Sequence, residues 1–314
     1  MNTGALALRH RVEDAVLAGA MAIARIVPPR TLRAAGRAAA DVAYVLDRRH
    51  RRVTLDNLEA AYGSELDERA RRALARRSWR HLGGVLFETL SFPTLTGESL
   101  IRDVAVVGAE HYAVARARGR GVLFVTGHYG NWELAAIAHG FVSGRPLAVI
   151  ARPLDNPRLE RRLAALRAVS GNTVIPKRNA SRAIVKVLRE GGDIGILIDQ
   201  DARKSGVFVP FFGLPASTTP IVASLALRTG AAILPAFCEP LAGGGHLVTY
   251  APEIEYEPTG EPERDIVALT ARCTEALERR IRTCPEMWLW AHRRWKTRPG
   301  ANPGYTEGSS PETR

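Results

Sequence analysis

Cysteine, lysine and long apolar runs are all scarce in this sequence of 314 residues. The three cysteines, Cys238, Cys273 and Cys284, form no Cys-x-x-Cys pair and leave one unmatched. That argues against a disulfide scaffold or a thiolate zinc site and points to a reducing compartment. The apolar stretch at residues 15–24 is ten residues long, flanked by Glu13, Asp14 and Arg25. A spanning helix needs about 20 apolar residues, so no bilayer crossing is expected. Nothing at the start resembles a cleavable signal peptide. Familiar catalytic motifs are missing too: there is no Gly-x-Ser-x-Gly, no His-Glu-x-x-His and no P-loop. Gly191-Gly192-Asp193-Ile194-Gly195 precedes an expected strand instead of following one, so it fails the dinucleotide-binding context.

What is present suits a globular chain. With 46% hydrophobic and 24% charged residues, one sizeable core needs no disulfide or metal to hold it, and wholesale disorder, collagen and a polytopic membrane protein are excluded. Basic residues outnumber acidic ones, 44 to 32, for a net charge of +12. Four of the 44 are lysines, which leaves 40 arginines, a bias that a G+C-rich coding sequence alone would produce. The distribution says more. Residues 1–82 hold 16 basic and 9 acidic residues, and residues 145–190 hold 11 and 3. Basic surface of this kind attracts phosphate, in nucleic acid, in anionic lipid headgroups or on a phosphorylated substrate or carrier.

Helical spacing predicts three opening helices, at 11–27, 30–47 and 66–91, the first ended by Pro28-Pro29. The stripes of the second (Leu32, Ala35, Ala39, Val42, Val45, Leu46) and third (Leu66, Ala70, Leu74, Leu82, Leu86) read mostly as core. The first is expected to lie in a membrane interface, with Val12, Val16, Met21, Ile23 and Val27 turned inward and basic flanks against anionic lipid. From about residue 100 short β-branched runs (103–107, 121–126, 146–151, 172–175, 193–198, 232–237, 246–251) alternate with helical ones (109–118, 132–143, 156–170, 179–190, 218–229), and an amphipathic helix at 264–282 comes after them. This predicts an α/β fold, a mixed and mostly parallel sheet flanked by helices, behind an N-terminal helical segment. The expected division is a membrane-associating helical segment at 1–95, an α/β domain at 96–299 and a disordered Gly/Pro/Ser-rich tail at 300–314.

The chemistry concentrates at 121–134, where a buried strand runs through Gly127-His128-Tyr129-Gly130 into a helix beginning near Asn131. Ligands sit where the carboxyl end of a strand meets a helix N-terminus in open α/β sheets. His128 and Glu133 are five apart, about 500° of helix, so they converge only if His128 lies in the turn and Glu133 in the first helical turn. A neutral histidine beside a carboxylate is a general base, the carboxylate fixing its tautomer. Asn131 is read as a helix cap, with a substrate-facing side chain as the alternative.

The segment resembles the His-x4-Asp/Glu motif of the late acyltransferases of lipid A biosynthesis, the lauroyl/myristoyl acyltransferase family within the lysophospholipid acyltransferase superfamily. Four further blocks resemble the family in order: Arg51-Arg52-Val53-Thr54-Leu55-Asp56-Asn57-Leu58; Ile150 to Pro157; Leu197-Ile198-Asp199-Gln200-Asp201 with Gly206 to Gly213; and Trp288 to Lys296. The resemblance covers about 50 to 299 and implies a glycerolipid-acyltransferase-like fold. Its catalytic set would be His128, Glu133 and Arg152, with Arg152 at the same sheet edge stabilising an oxyanion or holding a phosphate. Tyr129, Asn131, Asp199, Gln200, Asp201 and Phe211 are the expected substrate-binding residues, Asp199 as a second carboxylate. Phe208, Phe211 and Phe212 would line either core or an acyl-chain tunnel. Trp288, Trp290 and Trp295, interleaved with His292, Arg293, Arg294 and Lys296, suit a lipid–water interface or a packed terminal edge.

The reaction so implied moves a fatty acyl chain from an acyl-carrier protein or acyl-CoA thioester to a hydroxyl of a lipid A precursor, without cofactor or metal. It would take place at the cytoplasmic face of the bacterial inner membrane, with peripheral or monotopic attachment, because the membrane-spanning segment with which the family usually opens is weak in this chain. The alternative acceptor is another membrane glycolipid or lysophospholipid, phosphatidylinositol mannoside-like. A non-catalytic membrane- or nucleic-acid-binding protein is the remaining class, and it has no use for four ordered blocks; nucleic acid is not an expected partner.

Overall fold

The computed structural model describes residues 3–151, 153–176 and 180–300. Four helices open the chain: α1 (Thr3–Ala24), α2 (Pro29–Leu46), α3 (Arg48–Tyr62) and α4 (Glu68–Thr89). The sequence pattern yields three. The extra one, α3, begins with an arginine-rich turn that obscures its stripe, yet Val53, Leu58, Ala61 and Tyr62 are buried. Asp67 caps α4, its carboxylate accepting the Ala70 N–H. Helices α2 and α4 meet backbone to backbone. A Cβ on Gly36 would lie 2.1 Å from the Gly83 carbonyl oxygen, so only hydrogen fits there. The expected stripe of α2 fails beyond its first member: Leu32 is core, but Ala35, Ala39, Val42, Val45 and Leu46 are exposed, and the other buried positions are Gly36 and Ala40.

The remainder alternates α5 (Gly97–Asp103), β1 (Val104–Val107), α6 (Ala109–Ala117), β2 (Val122–Thr126), α7 (Trp132–Ser143), β3 (Leu147–Ala151), α8 (Pro157–Arg167), β4 (Thr173–Pro176), α9 (Ala180–Arg189) and β5 (Asp193–Leu197). A hairpin comes next, β6 (Val207–Phe211) and β7 (Leu214–Thr218), and then α10 (Ile221–Thr229), β8 (Ala232–Pro240), β9 (His246–Tyr250) and α11 (Pro262–Thr283). Seven strands form one sheet in the order β1-β9-β8-β2-β5-β3-β4. Five run parallel, and β9 with β1 runs against them, so the sheet is mixed and mostly parallel. The central strands β2 and β5 are covered on both faces, which is why they read as unbroken apolar runs. Along β2, Leu123 and Val125 point into one core cluster and Val122 and Phe124 into the other. Leu58, Tyr62 and Leu74 of α3 and α4 belong to the first cluster, so these helices share a core with the sheet.

No helix among the described residues is long and apolar enough to cross a membrane. The tail from residue 301 on, Arg152 and residues 177–179 lie outside the described residues.

Candidate active site

The site is built at the carboxyl edge of β2 and β5. These neighbours are parallel, with Thr126 opposite Leu197. Two residues beyond each, that register brings His128 and Asp199 to the same level. The Asp199 carboxylate accepts the His128 backbone N–H at 2.6 Å and faces its ring Nδ1 at 2.9 Å. It also accepts the Trp288 indole N–H at 2.8 Å. Burial pushes this carboxyl up, but the His128 charge and these hydrogen bonds outweigh it and hold Asp199 at about 2. Burial likewise pushes His128 down, and Asp199, with a smaller contribution from Glu133, reverses the sign and raises it. With Nδ1 held, Nε2 is the edge of the ring left for chemistry. Trp132 packs edge-on against that ring, centroids 5.1 Å apart.

The carboxylate on His128 is therefore Asp199 and not Glu133. Glu133 sits in the first turn of α7 with its side chain toward α8, where Arg167 donates to it through Nε at 2.9 Å and through NH2 as well. Both partners line the same cavity as His128. Pattern reasoning has no means of singling out Arg167 among forty arginines. Trp288 stands in a block that the sequence does flag, but nothing local marks it as a donor to Asp199.

Other expected site residues fall in different places. The Tyr129 side chain is fully buried, its hydroxyl donating to Glu239, and it faces away from the cavity. Asn131 caps α7 by accepting the Leu134 N–H at 3.1 Å, while its amide donates to buried Glu88 at 3.2 Å; it is fully buried and does not line the cavity onto which His128 opens. Phe211 is core, packed on Trp288 and Trp295, and the Arg294 guanidinium lies over its ring. The three tryptophans are buried, so they form a packed edge instead of a lipid interface. Gln200 and Asp201 do line the cavity. Asp201 serves the backbone: it accepts the Thr297 hydroxyl at 2.9 Å, and its N–H donates to His292 Nε2 at 3.1 Å. Arg152 lies outside the described residues.

The turn carrying His128 is held from several sides. Leu289 donates to the His128 carbonyl and Gly130 to that of Met287, while Asn131 donates to Cys238. Gly130 has φ 58, and a Cβ there would lie 1.9 Å from the Cys238 oxygen. The N–H groups of Tyr129, Gly130 and Asn131 are thus spent on the turn itself. Those of Trp132 and Glu133, at the positive end of α7, have no partner among the described residues.

His128 opens onto a cavity of about 1370 Å³. One arm runs under α7 and α8 and is apolar, with Phe124, Ala135, Ala136, Leu147, Val149 and Leu163 on its walls. Its far end carries His139 and Tyr250, hydrogen-bonded at 2.8 Å, with His139 3.2 Å from buried Asp193. The opposite, outer end is cationic, with Arg49, Arg203, Lys204, Arg293 and Lys296. Among the described residues no group of three or more His, Cys, Asp or Glu is placed to hold a metal.

Comparison with known proteins adds the family. The profile described as bacterial lipid A biosynthesis acyltransferase matches residues 4–297. The chain is 29% identical over 260 residues to the lipid A biosynthesis lauroyltransferase of Escherichia coli, covering 82% of each chain. It is 30% identical to the palmitoleoyltransferase of the same organism, covering 80% of each. It is also 28% identical to a phosphatidylinositol mannoside acyltransferase of Mycolicibacterium smegmatis, over 72% of this chain and 71% of that one.

Proposed function

The chain belongs to the bacterial lipid A biosynthesis acyltransferase family and is an acyltransferase, and from that premise we propose that it transfers a fatty acyl chain from an acyl-carrier protein or acyl-CoA thioester to a hydroxyl of a lipid A precursor. The acceptor hydroxyl attacks the thioester carbonyl while His128 Nε2 takes its proton. Asp199 holds Nδ1–H, fixing the base tautomer and stabilising the imidazolium that forms. The tetrahedral oxyanion is met by the N–H groups at the start of α7 and by Arg152, the latter assigned from sequence position. Collapse expels the thiolate, and His128 returns the proton to it. The acyl chain occupies the apolar arm. The observation that carries this reading is a histidine whose Nδ1 is held by a buried carboxylate, opening on a cavity apolar at one end and cationic at the other.

The attachment to the membrane is read from α1. Asp14 pairs with Arg162 of α8 at 2.5 Å, and the Asn156 amide donates to Glu13 at 2.8 Å and to the His10 carbonyl at 3.1 Å. This helix faces its own protein with polar groups. Leu8, Val12, Val16 and Ile23, a stripe at helical spacing, face outward and are exposed, as is Ile26 just past the helix end. Burying each such side chain is worth about 1.5–3 kcal/mol, which supports peripheral binding at the cytoplasmic face of the inner membrane.

The test is lipid mass spectrometry on a lipid-A-producing host that lacks its own late acyltransferases, expressing either this protein or His128→Ala. One added acyl chain on lipid A with the unmutated protein alone is the expected result. A new acylated lipid elsewhere favours the second acceptor, a phosphatidylinositol mannoside-like glycolipid, which the similarity to the mycobacterial acyltransferase supports. Undiminished transfer by His128→Ala would overturn the mechanism.

A further inference from the structure

The division expected from the sequence assigns α4 to a membrane-associating segment, yet one face of this helix reaches the backbone around His128. Ser78, His81 and Glu88 fall within about 80° of its circumference. The Ser78 hydroxyl donates to the Trp288 carbonyl at 2.8 Å. His81 Nε2 lies 3.2 Å from the Gly130 carbonyl oxygen, and since a carbonyl can only accept, this nitrogen carries the proton. Burial pushes the His81 pKa below its ordinary value, which keeps the ring neutral. The Glu88 carboxylate accepts the Asn131 amide at 3.2 Å and pairs with Arg33 of α2 at 3.3 Å. Ser78 and Glu88 are both buried.

The three partners are the pieces of chain that frame the reacting groups. Trp288 pairs antiparallel with Tyr129, and its indole N–H holds Asp199. Gly130 has φ 58, and a glycine rotates easily, so the peptide joining it to Asn131 keeps its orientation only when both ends are held. The Cys238 carbonyl takes its N–H at 2.8 Å, and His81 takes its oxygen. Helix α7 starts from this peptide, so the direction of the Trp132 and Glu133 N–H groups follows from it. An irregular turn fixes such directions poorly, whereas a packed helix fixes them well. Helix α4 is such a frame, because its backbone meets that of α2 at Gly83 and Gly36.

We propose that Ser78, His81 and Glu88 are positioning residues of the transfer reaction, through which α4 holds His128 and the first N–H groups of α7 in register with each other. The proposal rests on reading His128 as the base. Ser78 acts through Trp288 on Asp199, which orients the imidazole. His81 and Glu88 act through Gly130 and Asn131 on the end of α7 that meets the oxyanion. The N-terminal helical segment is then part of the working site as well as the means of membrane attachment. Local pattern does not reveal this, because the partners of Ser78, His81 and Glu88 lie 210, 49 and 43 residues away.

The test pairs His81→Leu, which removes the donor, with His81→Gln, whose amide N–H reaches the same carbonyl. His81→Leu should lower kcat about tenfold or more while KM for the thioester stays within about twofold, since orientation is lost and binding is kept. His81→Gln should recover to within about threefold of the unmutated protein. A second readout needs no activity: the hydrogen-bonded Nδ1–H proton of His128, followed by NMR in protein carrying ¹⁵N-labelled histidine and assigned by its absence from His128→Ala. Only folded molecules contribute to this resonance, so a mere loss of stability leaves it in place. It should shift in His81→Leu and return in His81→Gln. Ser78→Ala, which deletes a single oxygen, should also shift it and lower kcat, and carries the test alone if His81→Leu does not fold. Full rates in these variants overturn the proposal, as does an unmoved resonance with a kcat that falls only in proportion to the folded fraction. Absence of any transfer by the unmutated protein would instead remove the transferase reading, and the resonance alone would then decide whether α4 positions His128.

Discussion

Replacing Asp199 by asparagine removes one charge and keeps the shape, and the hydrogen-bond geometry around the carboxylate dictates the effect. Oδ2 accepts two donors, the His128 backbone N–H and the Trp288 indole N–H, whereas Oδ1 faces only the His128 ring. An amide must turn its NH2 one way or the other. Placed at Oδ2, it meets two N–H groups head-on; placed at Oδ1, it donates to Nδ1. The second arrangement costs less, and it forces the proton of His128 onto Nε2, the atom that has to accept one. The loss in kcat should approach the whole value of general-base help, about 10²–10⁴-fold. The pH profile moves with it. His128 acts as the neutral base, so activity falls as pH drops through its pKa, which Asp199 raises above the ordinary value of about 6.5. Without that charge, burial outweighs the smaller contribution of Glu133 and drives the pKa down, so residual activity should persist to lower pH. Steady-state rates of thioester consumption and acyl transfer between pH 5 and 9 measure both. An Asp199→Asn enzyme within a few-fold of the unmutated rate, or one whose acid limb moves upward, refutes the reasoning.

Four other outcomes are expected. Asn131→Asp keeps an equally good helix cap but sets a carboxylate against Glu88 (3.2 Å across the native contact), so kcat should fall; adding Glu88→Gln should restore it, as a double-mutant cycle in kcat and thermal midpoint can show. Glu133→Gln should shift the acid limb of the pH profile slightly downward and lose less rate than Asp199→Asn, while leaving Arg167 without its partner and lowering the thermal midpoint. Gly83→Val drives a side chain into the Gly36 carbonyl at 2.3 Å and should cost at least about 1–3 kcal/mol in denaturant unfolding. Changing Leu8, Val12 and Val16 together to glutamate should abolish flotation with anionic vesicles while leaving the circular dichroism spectrum unchanged.

The sheet is legible from the sequence because strands buried on both faces, such as 122–125 and 194–197, carry no polar side chain, and turns between them must carry polar and glycine residues. Helix α3 is not, because its buried positions are diluted by arginines. The His128 turn stands out for its strand–glycine–histidine–helix context, which is local.

The sequence by itself determined the fold class, the position of the proposed base, the family and the cationic bias, since each is written in neighbouring residues or in composition. Which carboxylate holds His128 was decided only in three dimensions. Asp199 lies 71 residues away and meets it through the parallel register of β2 and β5, while nearby Glu133 is drawn off by Arg167. The same holds for the burial of the C-terminal tryptophans, and for the cavity at which cations from three separate segments converge. Pairing between distant segments depends on strand order and register, and neither leaves a periodic trace in the chain.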